Sequence, residues 1–113
     1  MNSARSKMLL GVFVGMAVMV IGASSARAAD DGGALYKTKC AACHGPDGKG
    51  ETSIGKADKI RDLASPDVQK QSDEELTGII TTGKGKMPAY GKSLKPDQIK
   101  GLVSYVRTLG KKS

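Results

Sequence analysis

The chain is poor in the residue types that usually fill a protein core. Among its 113 residues there are no Trp, one Phe, three Tyr, one His and two Cys. So few aromatic residues argue against a protein that binds nucleic acid by stacking, although the formal net charge is +7. The length allows one small domain, which excludes a multidomain protein and a multi-pass membrane protein.

The first 28 residues have the pattern of a secretory signal peptide. Arg5 and Lys7 precede fifteen uncharged residues, Met8–Gly22, and Ala26-Arg27-Ala28 matches an Ala-x-Ala cleavage site. The apolar run is shorter than the roughly 20 residues that a spanning helix needs; an uncleaved anchor is the alternative. We therefore expect residues 1–28 to be removed, leaving residues 29–113 as one exported domain in the periplasm, without stable membrane insertion.

Residues 29–113 have too few large apolar side chains for a self-sufficient core. They contain fourteen Leu, Ile and Val residues, twelve Gly and neither Phe nor Trp, and their charge is +4. A domain this small buries little apolar surface and often needs an additional stabilising element, such as a covalent cross-link or a bound metal. We expect something other than side chains to fill its centre.

Apolar residues at helical spacing predict an all-α domain. A first helix, capped by Asp30 or Asp31, is expected to run to about Cys43, and Ala57–Ala64 is expected to form a short helical turn. Another short segment follows Ser65-Pro66, with Val68 directed inward. No alternating run of β-branched residues is long enough to predict a strand.

Two further helices have clear start and stop signals. A capping box at Ser72–Glu75 opens a helix that Gly83 ends. Pro96 opens the last helix, and Gly110 is expected to end it. The apolar face of that helix consists of Ile99, Leu102, Val103, Val106 and Leu109.

The five residues from Cys40 to His44 have the C-x-x-C-H pattern for covalent haem attachment. Two thiols three residues apart on a helical turn can each form a thioether with one haem vinyl group, and His44 can then bind the iron from one side. A redox-active disulfide and a zinc site are the alternatives. The first belongs to a fold with alternating strands and helices, and the second wants four ligands in well separated pairs. The sequence shows neither.

Met87 is the only methionine in residues 29–113, and it lies in a loop, Gly83–Pro88, between two predicted helices. Because His44 is the only histidine, two histidine ligands within one chain are impossible. We interpret Met87 as a thioether ligand on the opposite face of the iron. A core methionine that fills a packing gap is the alternative.

On these residues the chain resembles the class I c-type cytochromes of the small bacterial monohaem kind. It is also similar to the photosynthetic lumenal cytochromes of cyanobacteria and algae. The resemblance covers residues 31–109. It rests on Gly32 and Tyr36 ahead of Cys40, on the attachment motif, on Lys86-Met87-Pro88 and on Leu102–Val106.

The resemblance implies an all-α, small class I cytochrome c fold, with three to five helices wrapped around one covalently bound haem c. Cys40 and Cys43 would form the thioethers, His44 would be the proximal iron ligand and Met87 the distal iron ligand. A backbone carbonyl of residues 52–57 would accept the free N–H of His44. Gly32, Tyr36, Leu102 and Tyr105 would meet where the terminal helices cross.

The function implied is that of a soluble, monomeric, periplasmic single-electron carrier rather than an enzyme. A haem-based sensor or gas-binding module and a haem subunit of a periplasmic oxidoreductase complex are the alternatives. A thylakoid lumen or a membrane anchor is a further alternative for the location.

Lysines flank both predicted ligand segments. Lys84, Lys86 and Lys92 lie in or beside the Met87 loop, and Lys37, Lys39 and Lys49 bracket the attachment motif. The acids cluster instead at Asp73-Glu74-Glu75. We expect the lysines to ring the haem edge and to meet redox partner proteins with acidic docking surfaces. Nucleic acid is not an expected partner, because the leader directs the chain out of the cytoplasm.

Overall fold

The computed structural model describes Gly15 and residues 24–112. In chain order the helices are α1 (Ser24–Lys39), α2 (Ala41–His44), α3 (Ser53–Ala57), α4 (Pro66–Gln69), α5 (Asp73–Thr82) and α6 (Pro96–Lys111). This described part has no named strand. The all-α fold is confirmed, with one helix more than the three to five expected, because Cys40 separates the single turn α2 from α1.

The apolar run of the expected signal peptide, apart from Gly15, lies outside the described residues, and cleavage after Ala28 stays a prediction. The first helix begins at Ser24 rather than at Asp30 or Asp31. The Ala-rich stretch ahead of the two aspartates has high helix propensity, so the helix extends through it. Within residues 24–112, each helix is too short or too polar to cross a lipid bilayer.

The predicted helical turn at Ala57–Ala64 is wrong, because the helix lies earlier, at Ser53–Ala57. The hydroxyl oxygen of Thr52 accepts a 2.8 Å hydrogen bond from the backbone N–H of Gly55 and thereby caps this helix. Past its C-terminal end, Lys59 has a φ of 54°, a left-handed conformation that does not continue a helix.

The predicted starts of α5 and α6 are confirmed. Ser72 caps α5 by accepting a 3.1 Å hydrogen bond from the N–H of Glu75. Pro96 lies in the first turn of α6, where its missing N–H costs no hydrogen bond. The last helix continues one residue beyond Gly110, to Lys111.

The terminal helices α1 and α6 form the main packing contact and position the site. Tyr36 and Leu102 are almost completely buried between them, and the rings of Tyr36 and Tyr105 lie 4.8 Å apart. The predicted apolar face of α6 is buried along its whole length. Val103 and Val106 on this face pack against Val68 and Leu76, so α4 and α5 close the other side of the domain.

Candidate functional site

The C-x-x-C-H motif consists of Cys40, which directly follows α1, and the single turn α2. The N–H of Cys40 donates to the carbonyl of Tyr36 at 2.8 Å, and the carbonyl of Cys40 accepts from the N–H of His44 at 2.9 Å. His44 therefore follows Cys40 by one helical turn. The carbonyl of Cys40 also accepts from the N–H of Cys43 at 3.2 Å, which tightens this turn.

Three successive carbonyls at the end of this turn accept hydrogen bonds from other parts of the chain. The Thr52 hydroxyl donates to the carbonyl of Cys43 at 2.6 Å. The N–H of Gly50 donates to the carbonyl of His44 at 2.7 Å. The Tyr36 hydroxyl donates to the carbonyl of Gly45 at 2.7 Å. These hydrogen bonds hold the backbone that carries the imidazole in place.

The thiol of Cys40 does not have the character of a redox-active cysteine. Both cysteines are free thiols of intermediate burial. Burial, assisted by the neighbouring Cys43, raises the pKa of Cys40 to about 11, whereas reactive thiols of the thioredoxin kind have lowered values. A zinc site also lacks support, because the described residues contain no group of three or more His, Cys, Asp or Glu side chains placed to hold a metal ion.

Met87 lies at the end of a tight turn that begins at Lys84. The N–H of Met87 donates to the carbonyl of Lys84 at 3.0 Å, and the N–H of Lys84 donates back to the carbonyl of Met87 at 3.2 Å. Gly83 enters this turn with a φ of 76°, and a Cβ there would lie 2.7 Å from the carbonyl oxygen of Met87. Glycine is therefore required at position 83.

Two adjoining cavities lie between the attachment motif and the Met87 turn. The first, which we call the Leu76 cavity, has a volume of about 260 Å³, and the second, the Tyr90 cavity, about 370 Å³. Cys40, His44, Lys84 and Met87 line both cavities, and Cys43 lines the Tyr90 cavity. The structure thus brings all four predicted site residues together. The apolar lining of the Leu76 cavity comes largely from Leu63, Val68, Leu76, Ile79, Ile80, Leu102 and Val106.

The imidazole of His44 fits the role of a metal ligand. The ring lines both cavities, and its Nδ1 atom is buried without a hydrogen-bond partner. A metal occupies only one ring nitrogen, so the other nitrogen still needs an acceptor for its N–H. Burial lowers the pKa of His44 and favours the neutral ring that binds metals. A flat apolar cofactor whose iron binds one ring nitrogen of His44 would fill the two cavities.

The structure does not provide the carbonyl that was expected to accept from His44. The carbonyls of Thr52, Ile54 and Gly55 instead accept hydrogen bonds within α3 and the turn that follows it. The α3 helix directs these carbonyls along its own axis. As a result, the Nδ1 atom of His44 has no hydrogen-bond partner.

Several residues of the site have no clear local signal in the sequence. Arg61 and Gln71 add polar groups to the Leu76 cavity beside those of His44 and Lys84. Tyr90 lines the cavity named after it, and its hydroxyl donates to the carbonyl of Lys39 at 3.0 Å. Of the groups near the site, only the helix cap at Thr52 has a signal in the sequence, since threonine is a common N-cap residue.

The lysine rim is smaller than predicted and contains an acid. Lys39, Lys84 and Lys86 line the Tyr90 cavity, whereas Lys37, Lys49 and Lys92 line neither cavity. Asp58 also lines the Tyr90 cavity, and its carboxylate lies 2.9 Å from the ammonium of Lys86. This hydrogen bond raises the pKa of Lys86. The acids of α5 are not wholly separate either, because Glu75 and Lys84 line one shallow hollow.

A small helical fold in which a C-x-x-C-H motif faces Met87, the one methionine of the described residues, is typical of class I c-type cytochromes. Residues 27–106 match the protein family described as cytochrome c oxidase, cbb3-type, subunit III. This span is more than half of the chain, and the chain belongs to this family of small class I c-type cytochrome domains. Its cofactor is covalently bound haem c.

Two curated relatives and one solved structure support this assignment. The chain is 37% identical over 84 residues to the cbb3-type cytochrome c oxidase subunit FixP of Azorhizobium caulinodans, covering 74% of this chain and 28% of FixP. It is 37% identical over 81 residues to cytochrome c6 of Gloeothece citriformis, covering 69% and 68% of the two chains. The solved KustC0563 c-type cytochrome superposes with a TM-score of 0.65 at 36% identity, over 70% of this chain and 96% of that one.

Proposed function

We propose that the protein is a soluble periplasmic single-electron carrier in which His44 and Met87 would bind the haem iron. Cys40 and Cys43 form the two thioethers. Bound haem supplies a reversible one-electron Fe(II)/Fe(III) couple. The observation that carries the proposal is that His44 and Met87, the only candidate ligands of their types in residues 29–113, line the same cavities as Cys40.

Each residue contributes a defined part of this function. With both His44 and Met87 bound to the iron, no place would be left there for a substrate or for oxygen, which favours a carrier over an enzyme. A methionine ligand raises the reduction potential relative to a second nitrogen ligand. The hydrogen bonds to the carbonyls of Cys43, His44 and Gly45 keep the proximal ligand in place, so the site changes little between oxidation states.

Mass spectrometry and optical spectroscopy of holoprotein produced with haem-maturation machinery test the proposal. We expect the mass of the polypeptide plus one haem, retained after acid–organic extraction, and a start at Ala29. We also expect the weak red thioether-to-iron band in the oxidised spectrum. Haem that extracts from the polypeptide would contradict covalent attachment. A missing red band in attached protein would instead favour the sensor or gas-binding alternative.

The lysines beside the Tyr90 cavity supply the proposed docking surface. Lys39, Lys84 and Lys86 outnumber Asp58 there, so the rim is net positive. Long-range attraction would speed the encounter with an acidic redox partner more than it would increase affinity. We propose that the haem edge at this rim is where electrons enter and leave.

A subunit of a larger oxidoreductase is the second candidate function. The likeness to FixP, whose name describes an oxidase subunit, favours it, although the chain spans only 28% of that protein. Size-exclusion chromatography of the protein isolated from its source distinguishes the two. A free carrier elutes as a monomer, whereas a subunit co-elutes with a larger complex.

A further inference from the structure

Two side-chain contacts connect the Met87 loop to the opposite side of the Tyr90 cavity. Lys86 pairs with Asp58, and the Tyr90 hydroxyl donates to the backbone carbonyl of Lys39. Lys39 is the last residue of α1 and directly precedes Cys40. The second contact therefore joins the segment that carries the proposed distal ligand to the segment that begins the haem attachment, across 51 positions of sequence.

The backbone of Tyr90 is held independently of its side chain. Its N–H donates to the carbonyl of Ile80 in α5 at 2.9 Å, and its carbonyl accepts from the N–H of Leu94 at 2.9 Å. The ring is half-buried and lines the cavity beside Cys40 and Met87. Because α5 anchors one end of this residue, its hydroxyl can hold the other side of the cavity at a fixed distance.

We propose that Tyr90 is a positioning residue that restrains Met87 on the haem iron through its hydrogen bond to Lys39. The inference rests on the proposed function, in which Met87 is the distal ligand. Tyr90 follows Met87 by three residues, so a movement of the Met87 loop away from the attachment segment would pull Tyr90 away from Lys39. Such a movement would break the Tyr90–Lys39 hydrogen bond, so the contact stabilises the ligated state over the state in which the loop has moved away.

The pairing of Lys86 with Asp58 is less suited to this role. The Lys86 side chain is 79% exposed, and exposed ion pairs are screened by salt and contribute little. The Tyr90 contact is also exposed to solvent, but it uses a neutral hydroxyl and a backbone carbonyl, which salt does not screen. The restraint on Met87 should therefore persist at high ionic strength.

Imidazole binding to the oxidised holoprotein tests the inference, because added imidazole can bind the iron only when the sulfur of Met87 has left it. The variant is Tyr90→Phe, which removes the hydroxyl and keeps the ring. A net hydrogen-bond contribution of ordinary size corresponds to imidazole binding that is roughly 2- to 10-fold tighter. Tyr105→Phe is the matched control, since the Tyr105 hydroxyl has no hydrogen-bond partner in the described part of the chain.

The outcomes separate this inference from the proposed function. Tighter imidazole binding in Tyr90→Phe but not in Tyr105→Phe, at both low and high salt, supports the restraint. If Tyr90→Phe and wild type bind imidazole equally, and both bind it more weakly than Met87→Ala does, the restraint is overturned but Met87 remains a ligand. Wild-type protein that binds imidazole as readily as Met87→Ala overturns the ligand assignment itself. Urea unfolding of each variant completes the test, because a loss of stability without tighter imidazole binding also overturns the restraint.

Discussion

Gly32 of α1 lies directly against the backbone carbonyl of Gly101 in α6. A Cβ at position 32 would overlap that carbonyl oxygen and would lie 3.1 Å from the backbone nitrogen of Leu102. The predicted meeting of Gly32 and Tyr36 with Leu102 and Tyr105 is confirmed in this crossing. The neighbours of Gly32 are main-chain atoms, which cannot move aside as a side chain can, so the helices would have to separate.

The substitution Gly32→Leu should therefore destabilise the protein by about 1–3 kcal/mol or more. Urea unfolding of the holoprotein, followed by circular dichroism, measures the change. Gly78→Ala is the control, because a Cβ at Gly78 meets nothing within 4 Å. Alanine in this α5 position should leave stability unchanged or raise it slightly. Equal stability of Gly32→Leu and wild type would show that the helices do not cross at this point in solution.

Replacement of Met87 should change the optical spectrum and the reduction potential of the iron rather than the fold. Met87→Ala should abolish the weak red band of the oxidised protein and allow small ligands to bind. Met87→His should lower the reduction potential, because a second imidazole favours Fe(III). Optical spectra and a potentiometric titration measure both effects.

Pro88→Ala is the matched control for these variants. It changes the residue beside Met87 but keeps the sulfur, so the red band should remain. An unchanged spectrum and potential in Met87→Ala would show that another group binds the iron, and Met87 would then be a packing residue.

The charge of the rim should control the rate of reaction with an anionic oxidant such as ferricyanide. Lys84 lines both cavities and makes no ion pair with the residues that the structure describes, so Lys84→Glu should slow the reaction several-fold at low salt. Asp58→Asn should speed it, because this change removes a negative charge and releases Lys86. Both effects should shrink as salt rises, since screening shortens the field to about 8 Å at physiological ionic strength.

Stopped-flow rates across a salt series measure these effects. Lys100→Glu changes the net charge as Lys84→Glu does, but Lys100 is an exposed residue of α6 that lines neither cavity. Equal slowing by the two variants would mean that the net charge, and not the rim, attracts the oxidant.

Arg107 should contribute more to stability than an ordinary surface cation. Its guanidinium donates to the carbonyls of Gln69 and Gln71 at 2.7 and 2.5 Å and pairs with Asp73 at 2.9 Å. These contacts hold the segment between α4 and α5 against α6. Hydrogen bonds to charged groups contribute about 1.5–3 kcal/mol, so Arg107→Met should lower the free energy of unfolding by an amount of that order.

Lys70→Met is the comparison for Arg107→Met. The pair between Lys70 and Asp67 spans 3.5 Å, and both side chains are about three-quarters exposed; such pairs contribute at most about 1 kcal/mol. Chemical denaturation of the two holoproteins measures the difference. Similar losses in the two variants would contradict the special role of Arg107.

The sequence by itself determined the features that depend on neighbouring residues. The spacing from Cys40 to His44 sets one helical turn. Ser72 caps α5 through a hydrogen bond to Glu75, three residues later, and Pro96 begins α6. The same local reasoning misplaced the helix after the motif. It missed the cap that Thr52 provides and the left-handed backbone at Lys59.

The tertiary structure alone decided how distant segments meet. His44 and Met87 line the same two cavities. Asp58 pairs with Lys86, and Tyr90 reaches Lys39. These contacts join residues that are 28 to 51 positions apart in the sequence. No local pattern specifies such pairs, because the packing of α1 against α6 and the path of the turns between them set those distances. The motif could indicate which residues do the chemistry, but only the packed helices establish which groups surround them.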